Sequence, residues 1–383
     1  MLGLVSLCMD TSSEMIHSLL PVLLVSVLGV GASIVGLIEG LAEATVALTK
    51  AFSGTLSDRL RRRKLLTVVG YALGAISKPL FPLASSAGWI LCARVLDRIG
   101  KGIRGAPRDA LVSDITPAHL RGASFGLRQA LDTVGAFLGP LLAIFLMTAV
   151  GVGVRDVFWL ATIPAALAVV VLLVGVHEPA RAGTTGLRRE PLRRADVRAL
   201  GPAYWSLVIV ASVLTLARFS EAFLVLRARE AGLSVALTPM TLVVMNVVYA
   251  ASAYPMGAVS DRCGRGFVLA IGFSVLIAAD LVLAATSTIL AALIGIGLWG
   301  LHMGMTQGLL AALVADSTPG DRRGTAFGFF HLTTGVATLL ASVLAGYLWQ
   351  HYGSGTTFVA GALLTGAGLL VALPLVYHPH PRA

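Results

Sequence analysis

Ionisable residues recur at helical spacing inside stretches that are otherwise apolar. Asp10, Glu14 and His17 fall at i, i+4 and i+7, so a helix carries all three on one face. Glu39, Glu43 and Lys50 lie along another face. Arg94, Asp97, Arg98, Lys101, Arg104 and Arg108 form a basic stripe containing one acid, and Arg128 and Asp132 sit one turn apart. A carboxylate beside an arginine is a proton switch: approach favours the ion pair, and separation in an apolar setting favours the neutral acid. Asp10, Glu14, Glu39, Glu43, Asp97 and Asp132 are therefore candidate coupling carboxylates, with Arg94 and Arg98 as partners. The same pattern also serves a permanently ionised lattice that holds helices in register, and spacing leaves both uses open. His17 is a candidate relay, because imidazole titrates near working pH, or a hydrogen-bonded helix residue.

The elements that position these groups follow from composition. Of 383 residues, 56% are hydrophobic and 13% charged, too little polar surface for a water-facing exterior. The apolar runs reach the ~20 residues that a helix needs to cross a bilayer. Alternating ten-residue barrel strands are absent from the pattern, and lipid leaves the backbone no other choice. The expectation is an all-α integral membrane protein with spans near 3–28, 33–54, 65–84, 88–112, 122–148, 154–176, 203–227, 236–257, 267–286, 289–314, 324–349 and 355–377. The first stretch carries Asp10 and Glu14 without a basic lead, and reads as a retained span rather than a signal peptide. Cys8, Cys92 and Cys263 have no metal or disulfide spacing.

The net charge of +10 is explained by topology and needs no nucleic acid. Loops after the even-numbered spans hold most of the loop arginines and lysines, including Arg59, Arg63, Lys64, Arg121, Arg193, Arg262, Arg265 and Arg323. The opposite loops hold only Arg155, Arg227 and Arg229. The positive-inside rule then puts both termini in the cytoplasm, with the chain in the inner (cytoplasmic) membrane. A polar linker at 178–202 separates halves at 1–177 and 203–383. The halves repeat: ALVSDITPAHLRGASFG at 110–126 matches ALVADSTPGDRRGTAFG at 312–328, and GTLSDR at 54–59 matches GAVSDR at 257–262.

GTLSDRLRRRK at 54–64 resembles the G-x-x-x-D-R-x-G-R-[RK] loop motif of the major facilitator superfamily, with Arg61 in the usual glycine place. GAVSDRCGRG at 257–266 is its second copy and keeps Gly264. Arg94 and Gly100 resemble the fourth-helix motif, and GAFLGP at 135–140 resembles the fifth-helix motif linked to antiporters. The resemblance implies two pseudo-symmetric six-helix bundles that rock around a midplane substrate site. It also implies a gate built on Gly54, Asp58, Arg59, Arg104 and Arg108, with Asp261 and Arg262 as the symmetric copy. Asp58 would face the start of the eleventh helix, whose dipole favours an anion.

The second half is poorer in buried charge, which is confined to Arg218, Glu221 and Asp280. Together with Arg128 and His17, the residues Arg218, Glu221, Phe219, Phe223, Tyr249, His302, Met303, Phe330 and His331 are candidates for the substrate cavity; each aromatic also fits plain packing. The expected function is proton-coupled antiport exporting a drug-like or toxic small molecule by a monomer, with no cofactor and no bound metal. Symport of an anionic metabolite or metal chelate is the alternative that the basic stripe favours. Against it, Asp10, Glu14, Glu39, Glu43, Asp97, Asp109 and Asp132 balance Lys50, Arg94, Arg98, Lys101, Arg104, Arg108 and Arg128. A non-transporting membrane sensor is a third reading. No nucleophile elbow or metal-ligand cluster supports an enzyme.

Overall fold

The computed structural model describes residues 1–60, 63–117, 120–176, 200–318 and 323–377, with the side chains of 54–60, 114, 121–123, 203, 261, 315, 323–325 and 372–377 left aside. Among the described residues there is no strand. The helices are α1 (Leu2–His17), α2 (Ala32–Leu60), α3 (Arg63–Ser77), α4 (Ala87–Ile115), α5 (Arg121–Phe145), α6 (Val154–Leu160) and α7 (Thr162–Gly175). They continue as α8 (Pro202–Leu216), α9 (Ala222–Glu230), α10 (Met240–Cys263), α11 (Arg265–Ala285), α12 (Ile289–Asp316), α13 (Arg323–Tyr352) and α14 (Ser354–Tyr377).

Eight described stretches are long and apolar enough to cross a membrane: Ala32–Ser53, Ser124–Val150, Val154–Gly175, Val235–Ser260, Arg265–Ala285, Ile289–Val314, Ala326–Tyr352 and Ser354–Val371. They coincide with eight of the spans expected from sequence. The other four are helical but differ from a plain apolar rod, each for a visible reason. The first breaks after His17, and the third gives way to a 3₁₀ turn at Lys78–Leu80. The fourth, α4, is continuous but carries the basic stripe. The seventh is interrupted between Leu216 and Ala222, where Arg218, Ser220 and Glu221 lie. Broken helices free backbone polar groups, which is tolerated at membrane depth only inside protein or beside water. Here Ser342 Oγ accepts from Ser220 N at 3.2 Å, and Ser220 Oγ from Ala222 N at 3.2 Å. Apolar side chains such as Val174, Leu290, Leu363 and Leu370 stand about 70% exposed, as lipid-facing residues do.

The chain divides into two compact units: Met1–Leu28 with Leu41–Pro191, and Gly29–Gly40 with Leu192–Ala383. In the first unit, α1 packs against α5 and α7, and α3 against α4, around Leu2, Val5, Met9, Tyr71, Leu111 and Leu172. In the second, α12 packs against α10 and α11, and α14 against α11. Its aromatic core centres on Phe219, whose ring lies 5.3 Å from Trp299, 5.4 Å from Phe358 and 5.6 Å from Phe223. Within this unit the start of α2 also meets α13: Ser33 Oγ donates to Gly346 O at 3.2 Å, and Gly36 leaves no room for a Cβ against Ser342 O.

Arg227 on α9 fastens the end of α11. Its Nε donates to Leu283 O at 2.8 Å, and its Nη2 to Thr286 O at 2.6 Å and Ala284 O at 3.4 Å. Its Nη1 reaches Glu230 Oε2 at 2.9 Å and Ser354 Oγ at 3.0 Å. These five acceptors match the five N–H groups of a guanidinium, and the cation also suits a helix C-terminus. Arg227→Ala is expected to destabilise the protein by about 1–3 kcal/mol, the cost of buried carbonyls left without donors. Arg227→Lys should recover only part of the loss, because an ammonium cannot reproduce the fork. Thermal unfolding in detergent measures both, and an unchanged Arg227→Ala transition would remove the fastening role.

Candidate coupling site

The expected ionisable faces converge in the first unit, on α1, α4, α5, the later part of α2 and the turn after α3. Close helix approach makes this possible. A Cβ at Gly135 would lie 2.7 Å from Leu7 O, and one at Gly139 would lie 2.6 Å from Thr11 O and 2.8 Å from Glu14 Cβ. The glycines of the fifth-helix motif therefore seat α5 against the helix that carries Asp10 and Glu14. Gly70 and Gly100 let α3 and α4 meet in the same way, each Cβ position falling within 3 Å of the facing backbone. Such small-residue contacts replace the hydrophobic effect as the packing force between membrane helices.

At the most buried point, Lys78 Nζ pairs with Asp97 Oδ1 at 2.8 Å, and both side chains are nearly inaccessible. Lys78 also donates to Ser13 Oγ at 2.9 Å, and Ser77 Oγ to Asp97 Oδ1 at 3.4 Å. Asp97 is thus tied to a lysine on the turn after α3. Arg98, one of the two arginines expected beside the coupling carboxylates, lies 3.5 Å from Glu43 Oε1 on α2. Arg94 is enclosed, at 2% exposure. Sequence reading missed Lys78 as a site residue. Its signal was a lysine in an apolar run, but only the fold shows which acid it meets.

A second set of charges joins α4, α5 and α1. Asp132 Oδ2 accepts from Arg128 Nη1 at 2.6 Å and lies 4.0 Å from Arg108 Nη1, while its Oδ1 has no hydrogen-bond partner. Asp109 Oδ1 is 3.2 Å from Arg108 Nε and 3.7 Å from Arg128 Nε. Arg108 also donates to Ser6 Oγ at 2.9 Å, and that hydroxyl is 3.0 Å from Tyr71 Oη. Arg104 stands 4.0 Å from Asp10 Oδ1 with its guanidinium 4.7 Å from the centre of the Tyr71 ring, a cation–π distance. His17 Nδ1 is 3.3 Å from Glu14 Oε2. Of the proposed coupling carboxylates, Glu39 stands apart: it is buried but belongs to the second unit. Adding Lys78 also tips the even balance of charges struck from sequence toward the basic side.

The described partners of Arg104 and Arg108 lie on α1, α3, α4 and α5. The side chains of Gly54, Asp58, Arg59 and Asp261 fall outside the described residues, as does most of the linker at 178–202; Arg262 is exposed. In the second unit, Arg218 and Glu221 occupy the break between α8 and α9. Phe223 is fully enclosed, its ring 5.5 Å from that of Trp349. His302 is enclosed with Nδ1 2.8 Å from Gly272 O. Tyr249 is half-buried, and Phe330 is buried with its ring 5.6 Å from that of the half-buried His331.

The chain has counterparts of known family. The family model of the Major Facilitator Superfamily matches residues 2–245 and 208–383. The chain belongs to the major facilitator superfamily. It is a multi-pass membrane transporter and not an enzyme. An uncharacterized transporter of this superfamily from Methanocaldococcus jannaschii is 32% identical over 377 residues, covering 95% of this chain and 93% of the relative. The quinolone resistance protein NorA of Staphylococcus aureus strain N315 is 28% identical over 189 residues, 49% of this chain and 46% of NorA. Among solved structures, the nucleoside transporter NupG shares the superfamily fold with a TM-score of 0.80, at 12% identity, over 99% of this chain and 98% of NupG.

Proposed function

We propose that this superfamily member is a proton-coupled antiporter that exports a small, drug-like or toxic molecule across the cytoplasmic membrane by alternating access. In this reading it acts as a monomer, with twelve spans in two halves, 1–177 and 203–383, and both termini in the cytoplasm. The observation that carries the coupling is Asp132, which is bonded to Arg128 on its own helix and lies just beyond bonding distance of Arg108 on α4. A small slide of α4 along α5 exchanges one arginine for the other and passes through a geometry in which neither holds the acid. Export is supported by the partial similarity to NorA and by Gly135 and Gly139 seating α5 on α1. Symport of an anion is the second reading, supported by Lys78, Arg94, Arg98 and Arg104 outnumbering the enclosed acids of this unit.

The test is proton movement in proteoliposomes loaded with a pH-sensitive dye, with cationic, neutral and anionic compounds added under an imposed gradient. Antiport predicts compound-dependent proton release that is lost in Asp132→Asn and reduced in Glu43→Gln. Proton movement in the same direction as the compound would establish symport. Uptake of a compound with no proton response would end the coupled reading and return the charges to a structural role.

A further inference from the structure

Asp280 is a buried carboxylate of the second half that no part of the coupling site uses. It sits on α11, five residues before the helix ends, and is 0% exposed. Neither carboxylate oxygen has a hydrogen-bond partner. Arg227 of α9 binds carbonyls at the end of α11, about one turn beyond Asp280, and has every N–H engaged. Among the described residues no charged group pairs with Asp280; Arg218 and Glu221 flank Phe219 in the neighbouring break between α8 and α9 without bonding to either carboxylate oxygen. On α12, His302 is bonded two turns away at Gly272, and Asp316 pairs with Arg265 at the opposite end of α11. On α10, the described titratable groups are Tyr249, Tyr254, Arg262 and Cys263, and the described part of α14 has none. The surroundings are packed: a Cβ on Gly361 of α14 would fall 2.7 Å from Asp280 Oδ2 and 3.2 Å from the Phe219 ring.

An ionised carboxylate without donors is among the most costly groups to keep at membrane depth. On the α14 side the acid is closed in, since even a Cβ at Gly361 would press on Oδ2 and the Phe219 ring. We infer that Asp280 is a proton-binding site of the second half, loaded in the state described here and exchanging its proton when the surrounding helices part. In loading, a carboxylate oxygen forms an O–H bond with a proton from water, and unloading returns that proton to water; no electrons move. The inference rests on the proton-coupled reading for its use in transport, but the binding itself is measurable without any transported compound.

Infrared difference spectroscopy of the full chain reconstituted in lipid, titrated with pH in H₂O and D₂O, reads the carboxylic C=O stretch directly. The wild type is expected to show such a band, shifted by D₂O and fading as pH rises, and Asp280→Asn should lose one carboxyl's worth of it. Gly361→Ala keeps the acid but presses on Oδ2, so it should move the band's frequency; this arm holds if Asp280→Asn does not fold. Identical spectra for wild type and Asp280→Asn, or no frequency change in Gly361→Ala, would overturn the assignment. So would a band unaltered across the pH range in which the protein stays folded. A fading Asp280 band with no compound-driven proton movement would uphold the site while removing the antiport reading.

Discussion

A Lys78→Met protein is expected to be about 3–5 kcal/mol less stable than the parent, the largest stability change of any single substitution considered. The figure is the cost of leaving one member of a buried ion pair without the other. Asp97 would lose its ammonium partner and keep the Ser77 hydroxyl, at 3.4 Å, which cannot offset the loss. Lys78 lies immediately before Pro79, where α3 yields to a 3₁₀ turn, so the side chain is held by a bend rather than a free helix end. Pairing the change with Asp97→Asn removes the orphaned charge, and the double variant should regain most of the stability. Thermal unfolding of the four proteins in the same detergent gives the coupling energy. A Lys78→Met transition equal to the parent's would mean that the pair is not buried in the working protein. A double variant as unstable as the single one would mean that Lys78 acts through Ser13 or through packing instead.

Gly139→Leu is expected to separate α5 from α1 and to disable coupling. The added side chain has no vacant direction, since its first carbon would already sit 2.6 Å from Thr11 O and 2.9 Å from Met15 N. Overpacking of this kind costs about 1–3 kcal/mol. A displacement of about 1 Å would also carry Asp132 and Arg128 out of register with α4, with an expected loss in coupled proton flux of roughly tenfold or more. Gly126→Leu is the control on the same helix, because a Cβ there meets nothing within 4 Å. Equal flux in the two variants would detach the fifth-helix glycines from coupling. A fall in unfolding temperature without a fall in flux would leave them a packing role alone.

Much of this was legible in the residues. Hydrophobic run length is a local property, and lipid forces every such run into a helix, so the helices of α2, α5 and α10 to α14 follow from sequence directly. Helical spacing likewise identified Asp10 and Glu14, the α4 stripe and the Arg128–Asp132 pair, because an i, i+4 relation fixes neighbours within one helix. The breaks after His17 and around Arg218 to Glu221 were not legible. In the second of them Ser220 N is satisfied by Ser342 Oγ, 122 positions away, and no local signal announces a distant partner.

What the tertiary structure alone decided is which charges meet. Asp97 accepts a hydrogen bond from Lys78, 19 positions away, because the glycine contact of α3 with α4 brings that turn against it. Glu39 and Glu43 share a face of one continuous helix. The chain nonetheless divides between Gly40 and Leu41, which puts Glu39 in the second unit and Glu43 in the first, beside Arg98. Periodicity gives the direction in which a side chain leaves its helix. The neighbour it finds there depends on how closely helices can approach, and that is set by glycines whose facing residues lie far along the chain.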